Sequence, residues 1–377
     1  MAGIYIHFPF CKQACTYCNF HFSTSLKNQD LMVKSMYREL ELRDDFFKNE
    51  LINSIYFGGG SPSLLSSEIV GRFILKIKKT FNVSKSVEIT IEINPDDSSK
   101  EYLKGLKENK INRLSIGVQS FIEEDLKLMK RAHTSNQAFK TMKEVKSLFK
   151  NFSIDLIYGL PNSNIEKWKF NLNTALSYNP PHISCYALTV EPRTVLKKQV
   201  ALGEVLLIEE SEVKEQYNHM INYLEKKKYD NYEFSNFAHS GNYSVNNNGY
   251  WIGKPYLGIG PSAHSFDGNN VRSWNINQNN IYIKSIKENK LPITEEYLSL
   301  KDKFNEIVMT GLRTSSGVSL KIIREKIGKK FVNYLEENSK SRILSNDLYW
   351  DGDYLHITKK SKFLSDGIAS DLFMIDL

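Results

Sequence analysis

The chain has 377 residues, 41% hydrophobic and 25% charged, with a formal net charge of +7, the profile of an ordinary soluble globular protein with room for one large domain and a smaller one. No apolar run approaches the ~20 residues that span a bilayer, and Met1-Ala-Gly-Ile-Tyr-Ile-His7 has neither the basic nor the apolar part of a leader, so a cytoplasmic location is expected. The lysines are scattered through mixed-charge stretches such as Lys140–Lys150 and Lys284–Lys290 rather than interleaved with aromatics, which speaks against nucleic acid and reads as solvated helix faces, with a pull on an anionic small molecule as the lesser alternative.

In chain order, a strand over Gly3–His7 precedes a cysteine-bearing loop and a helix over Asp30–Phe47. The pattern then alternates: strand Ser54–Phe57, helix Ser67–Thr80, strand Val87–Ile93, helix Lys100–Glu108, strand Arg113–Val118, helices Glu123–Met129 and Asn136–Phe149, strand Ser153–Ile157, helix Ile165–Leu176, strand His182–Leu188. Alternating strands and helices predict parallel βαβ units with right-handed crossovers, hence an α/β fold. In the third strand Glu88, Thr90, Glu92 and Asn94 share one face and Ile89, Ile91 and Ile93 the other. A closed barrel packs its interior with branched apolar side chains, so this polar face predicts an open, partial (β/α)6 TIM-like barrel with a hydrated lumen.

After Phe237 the alternation stops. Asn242–Asn248 reads as an Asn-rich turn segment and Tyr256–Ser265 is glycine-rich; helices follow from Leu300, with a hairpin from Leu348–Trp350 through Asp351-Gly352-Asp353 to Tyr354–Ile357. The predicted division is a core over 1–237 and a smaller, mainly helical C-terminal region over 238–377.

Three of the four cysteines stand as Cys11-Lys-Gln-Ala-Cys15-Thr-Tyr-Cys18, directly after the first strand, where a barrel's ligand loops begin. Thiolates are the soft ligands of iron–sulfur clusters, and three of them leave one iron of a cubane free. A zinc site completed by His7 or His21 is the alternative. Cys185 lies in an apolar segment and reads as a core thiol. Further polar or small residues fall at the same strand ends: Gly58-Gly59-Gly60-Ser61, Glu92 and Asn94, Gln119 and Ser120, Asp155, and Arg131 just beyond. Together they predict a ring of convergent ligand groups.

These motifs resemble the radical SAM superfamily. Tyr5-Ile-His-Phe-Pro-Phe-Cys11, Phe57-Gly-Gly-Gly-Ser-Pro-Ser63, Glu92-Ile-Asn-Pro95, Arg113-Leu-Ser-Ile-Gly-Val-Gln-Ser-Phe121, Asp155-Leu-Ile-Tyr-Gly-Leu-Pro161, Tyr232-Glu-Phe-Ser-Asn-Phe-Ala238 and Tyr256-Leu-Gly-Ile-Gly-Pro-Ser-Ala-His264 are similar to the subfamily of oxygen-independent coproporphyrinogen III oxidases and HemW heme chaperones. The resemblance implies a [4Fe–4S] cluster on Cys11, Cys15 and Cys18 and S-adenosylmethionine chelated at the open iron, whose reductive cleavage by an electron donor yields a 5′-deoxyadenosyl radical. By the same resemblance Tyr5 packs near the cofactor, Gly58, Gly59, Gly60 and Ser61 approach its methionine amino group, Glu92 and Gln119 bind its ribose or methionine part, Arg131 pairs its carboxylate and Asp155 holds the adenosine side.

Three features separate the branches of that subfamily. The decarboxylase has a further cysteine two residues past the third, where Phe20 stands here, and a long arm before the first strand, where four residues precede Tyr5. The chaperones have a heme-associated His-Asn-x-x-Tyr-Trp, matched by Asn246-Asn247-Asn248-Gly249-Tyr250-Trp251. Asn247, Tyr250 and Trp251 are therefore assigned to heme, with Asn246 in the histidine's place and His239 or His264 as substitute iron ligands. The expectation is a heme chaperone that takes heme or porphyrin and serves a recipient apo-hemoprotein; radical decarboxylation of coproporphyrinogen III is the alternative, and no catalytic residue is assigned. A homodimer and a peripheral membrane contact stay open.

Overall fold

A computed structural model describes residues 1–47 and 50–375. Strands β1 (Ala2–Phe8), β2 (Ile52–Gly59), β3 (Val83–Ile93), β4 (Arg113–Gln119), β5 (Phe152–Tyr158) and β6 (His182–Ala187) lie side by side in chain order, every neighbouring pair parallel. Helices α1 (Gln29–Leu42), α2 (Ser67–Thr80), α3 (Lys100–Glu108), α4 (Glu123–Leu128), α5 (Ser135–Leu148) and α6 (Ile165–Ser177) make the crossovers. Side-chain caps start several of them: Ser66, Ser99, Thr134 and Asn164 each accept a backbone N–H of the first turn. Helix α1 stops at Leu42 rather than running to Phe47; Asp44 and Asp45 follow, and negative charge is unfavourable at the C-terminal end of the helix dipole. Ile4, Phe57, Ile91, Ile116 and Ile154 are fully buried in one core beneath these helices, each contributing roughly 1.5–3 kcal/mol relative to exposure.

The barrel is open, because β1 and β6 do not pair. Helices α7 (Val195–Ala201) and α8 (Glu210–Lys226) lead to the hairpin β7 (Asp230–Glu233) and β8 (Asn236–Ala238), which adds antiparallel to β6. Residues 242–248, expected as a turn, instead enter helix α9 (Val245–Trp251), capped by the Ser244 hydroxyl. Strand β9 (Tyr256–Ile259) then pairs parallel with the free side of β1, and β10 (His264–Phe266), β11 (Val271–Asn275), helix α10 (Asn279–Lys287) and β12 (Ile293–Tyr297) extend the sheet to twelve strands. Residues 256–297, grouped by sequence with the C-terminal region, thus hydrogen-bond into the barrel sheet, and Leu257, Ile259 and Tyr282 join its core. The glycine in Tyr256–Ile259 marks a close crossing of backbones: a Cβ on Gly258 would fall 2.1 Å from the His264 carbonyl oxygen.

A second core begins at Phe304. It gathers α11 (Leu300–Arg313), β13 (Val318–Ser319), α12 (Leu320–Lys326), α13 (Lys329–Asn338), α14 (Lys340–Leu344), the hairpin β14 (Leu348–Asp351) and β15 (Tyr354–Ile357), and α15 (Ser365–Asp371). The hairpin falls where Asp-Gly places it, with Gly352 at φ 56. Among the described residues no helix is long and apolar enough to cross a membrane.

Candidate functional site

The C-terminal ends of the barrel strands surround a cavity of about 710 Å³. Its wall shows why β3 alternates. Glu88, Thr90 and Glu92 face the lumen, and Tyr56 on β2 donates its hydroxyl to Glu92 Oε1 at 3.0 Å. Burial, reinforced by the negative charge of Asp155, pushes the Glu92 carboxyl up to about 7 despite that hydrogen bond. Asp155 accepts from Ser115 at 2.9 Å and Ser153 at 3.1 Å, and its carboxyl is also raised by burial. Behind it Ser153 touches His182 Nδ1 at 2.8 Å, and His182 Nε2 lies 2.7 Å from the Tyr232 hydroxyl; burial holds that imidazole neutral.

Cys11, Cys15 and Cys18 all open onto this cavity. Their loop is pinned by backbone: Cys11 N–H to Ser23 O at 3.0 Å, Thr16 N–H to Met129 O at 3.1 Å and Leu196 N–H to Thr16 O at 2.8 Å. Arg131 crosses beneath it, donating to Cys15 Sγ at 3.5 Å, Asn94 Oδ1 at 2.5 Å and Gly117 O at 2.9 Å. Lys12 is paired with Asp96 and Asp97. Burial pushes the Cys11 thiol up to about 11 and also raises Cys18, so iron must displace protons to bind there.

The donor set distinguishes cluster from zinc. The proposed fourth zinc ligands are engaged elsewhere: His7 Nε2 lies 3.0 Å from His21 O, and His21 Nε2 lies 2.7 Å from Asn279 Oδ1. Three soft thiols around an open cavity fit a larger cluster with one unliganded iron better than a closed tetrahedral ion.

The glycine turn answers to its own chain first. A Cβ on Gly58 would come 2.9 Å from the Tyr5 ring; Gly59 has φ +108 and faces the His7 ring; a Cβ on Gly60 would lie 2.5 Å from Phe10 O. Gly59, Gly60 and Ser61 border the cavity, whereas Gly58 and Tyr5 do not. Tyr5 lies one layer behind, its ring stacked on Tyr56. The Gly60 contact is with backbone that leads straight into Cys11, so Gly60→Ala is expected to lower cluster occupancy at least severalfold and to destabilise the chain by ~1–3 kcal/mol. Iron analysis and denaturant unfolding check this; wild-type iron content in the variant would contradict it.

Gln119 borders the cavity with φ 65, at a register break between β4 and β5. Such a left-handed glutamine is uncommon, and backbone strain of this kind gathers at ligand sites. Ser120 turns away, donating to Asp125 at 2.7 Å.

Helix α9 lies across the floor of the barrel. Val245 and Asn246 N–H donate to Glu88 Oε1 at 2.9 and 3.4 Å, and Ser54 donates to Asn246 Oδ1 at 3.4 Å. From the segment that resembles the heme motif only Asn247 borders the cavity. Asn246 is buried under it, Tyr250 packs edge-on against Tyr256, and Trp251 packs on the Arg313 guanidinium. The three positions are spaced i, i+3 and i+4 and so share one side of α9, but Tyr256 and Arg313 engage the Tyr250 and Trp251 rings, and only Asn247 is left to the cavity. His239 stacks on Tyr229 with Nδ1 3.0 Å from Lys228 O, and His264 stacks on Trp274; neither borders the cavity. Sequence reading did not single out Arg313 and Asp366, which the C-terminal region sends into the wall, nor Phe234 and Tyr186. No local signal marks the first pair, whereas Phe234 lies inside a motif already noticed.

The model of the Radical SAM superfamily matches residues 5–173. The chain is 32% identical over 376 residues to the heme chaperone HemW of Lactococcus lactis, covering 99% of this chain and 97% of that one. It is 31% identical to the HemW of Bacillus subtilis, with 98% of each covered. A mitochondrial radical S-adenosyl methionine domain-containing protein 1 of Danio rerio is 32% identical, covering 84% of this chain and 74% of the relative. Among solved structures, the coproporphyrinogen III oxidase of Escherichia coli, a radical SAM enzyme, superposes with a TM-score of 0.85 at 21% identity, over 99% of this chain and 90% of that one.

Proposed function

The chain belongs to the HemW family of the radical SAM superfamily, and from that premise we propose that it is a heme chaperone, holding heme together with a [4Fe–4S] cluster and S-adenosylmethionine and passing the heme to an apo-hemoprotein in the cytoplasm. The observation that carries this reading is the single cavity shared by the cysteine loop, the polar strand ends and Asn247. Cys11, Cys15 and Cys18 hold the cluster, which with an electron donor supplies one-electron chemistry at the sulfonium. Arg131, in the cavity wall beside Cys15 and Asn94, would take the methionyl carboxylate; a guanidinium fork suits that group. Glu92 and Gln119 take the ribose or methionine part, and Asp155 takes the adenosine side.

Glu92 gives this assignment a pH signature. At about pH 7 its carboxyl is half protonated, while a sulfonium cation with donating ribose hydroxyls favours the carboxylate. Binding of S-adenosylmethionine therefore releases protons near neutrality and tightens from about pH 6 to about pH 8. Calorimetry in buffers of different ionisation enthalpy reads this directly, and Glu92→Gln is expected to flatten the profile; a flat wild-type profile would contradict the role.

The second reading, radical decarboxylation of coproporphyrinogen III, is favoured by the shared fold with that oxidase. Against it stands Phe20, 68% exposed at the cavity rim in the position of the decarboxylase's extra cysteine. Anaerobic incubation of the reconstituted protein with reductant, S-adenosylmethionine and coproporphyrinogen III separates the two. The chaperone reading expects no protoporphyrinogen above the enzyme-free control; its formation would overturn that reading.

A further inference from the structure

Resting on the porphyrin-binding reading above, we propose that Arg313 is the carboxylate-recognition residue for a propionate-bearing tetrapyrrole in the barrel cavity. Arg313 ends α11, and with Asp366 it is what the C-terminal core sends to the cavity wall. Its backbone neighbourhood is fastened to the barrel: Thr314 bridges Glu233 of β7, and Ser315 N–H donates to Tyr232 O at 3.0 Å. The guanidinium lies between two aromatic rings, 5.1 Å from the Phe234 centroid and 5.5 Å from that of Trp251. Stacked rings hold a planar cation in one orientation, which lowers the ordering cost of binding.

Its donors are unevenly used. Nη1 alone donates to the Asp366 carboxylate, at 2.9 Å to each oxygen. Among the described residues neither Nε nor Nη2 donates to a protein acceptor, and Nε is fully buried. The side chain is 25% exposed and forms part of the cavity wall. Asp366 thus orients the guanidinium while leaving the Nη2 edge for a second carboxylate. Glu233 is the other acidic neighbour; burial pushes its carboxyl up to about 7, which moderates its competition for Arg313.

The remaining cations of the cavity are committed. Lys12 is paired with Asp96 and Asp97, and Arg131, which donates to Asn94, Gly117 and Cys15, is assigned above to the methionyl carboxylate. Arg113 lies deeper, 3.9 Å from Glu88 and beside Asp155, whose negative charges oppose an incoming anion. Arg313 also touches Trp251, which gives that residue a part in porphyrin binding without bordering the cavity: it backs the guanidinium.

The test compares heme with heme dimethyl ester, which keeps the macrocycle and iron but loses the carboxylates, on the full reconstituted chain. Wild type is expected to bind the acid roughly tenfold more tightly, the scale of one charge-assisted hydrogen-bonded pair. Arg313→Met is expected to erase that preference while leaving ester affinity and iron content unchanged. Should Arg313→Met lose its fold, Arg313→Lys, which keeps charge but not the planar edge, is expected to reduce the preference. An acid preference in the variants equal to that of wild type overturns the assignment, as does equal binding of acid and ester by wild type. Failure of wild type to bind either porphyrin overturns both the assignment and the reading on which it rests.

Discussion

Replacing Cys11, Cys15 or Cys18 singly by serine is expected to reduce iron after anaerobic reconstitution from about four per chain to well below one, and to remove the broad visible charge-transfer band. Three thiolates are the whole protein contribution to the proposed cluster, so each loss exposes a second iron to solvent. Among the described residues no substitute ligand stands by. The His7 ring is bonded to the His21 carbonyl and the His21 ring to Asn279, and Cys185 is buried in the barrel core. Cys185→Ser is expected to leave iron and spectrum intact, which makes it the control. The loop itself is held mainly by backbone hydrogen bonds that the serine variants keep, so far-ultraviolet circular dichroism is expected to change little. Stoichiometric zinc in wild type, or full iron in any of the three variants, would contradict the cluster assignment.

The second large effect is expected at Arg131. Its guanidinium joins three parts of the site: Cys15 on the loop, Asn94 at the end of β3 and Gly117 on β4. Arg131→Ala strands the Asn94 and Gly117 oxygens in a partly buried place, at a cost of ~2–4 kcal/mol by the penalty for unsatisfied partners of a buried charge. Loss of the pair with a ligand carboxylate lowers S-adenosylmethionine affinity by about tenfold or more. Arg131→Lys separates the two, because a point charge restores part of the attraction but cannot serve three acceptors in one plane. Denaturant unfolding reads the first effect and calorimetric titration the second. Wild-type affinity in Arg131→Ala would remove Arg131 from the ligand site.

Legibility in the sequence followed the range of the forces involved. The six parallel strands were readable because each is a β-branched or apolar run with a periodic helix after it. The Glu88–Asn94 alternation announced a polar lumen, and in the structure Glu92 lines it while accepting from Tyr56. The cysteine triplet together with the strand-end motifs made the Radical SAM superfamily legible without any tertiary information. What stayed hidden depends on contacts between distant segments. Tyr256–Ile259 carries a glycine and reads as loop until β1 supplies its partner. Asn242–Asn248 reads as turn because asparagine competes with helix hydrogen bonds, yet Ser244 caps a helix there and Glu88 receives its first N–H groups. Of the motif after it, read as one heme surface, only Asn247 reaches the cavity, because Tyr256 and Arg313 from distant segments engage Tyr250 and Trp251. Arg313 and Asp366 lie far down the chain in a separate core, and only folding brings them to the cavity.

The central claim is that this cavity receives heme. Equilibrium titration of the anaerobically reconstituted chain with heme, followed by its absorption, tests it most directly. The account predicts saturable uptake near one heme per chain, at an affinity that persists when S-adenosylmethionine is present. Absence of saturable uptake, or uptake abolished by S-adenosylmethionine as a competitor for the same space, would contradict it.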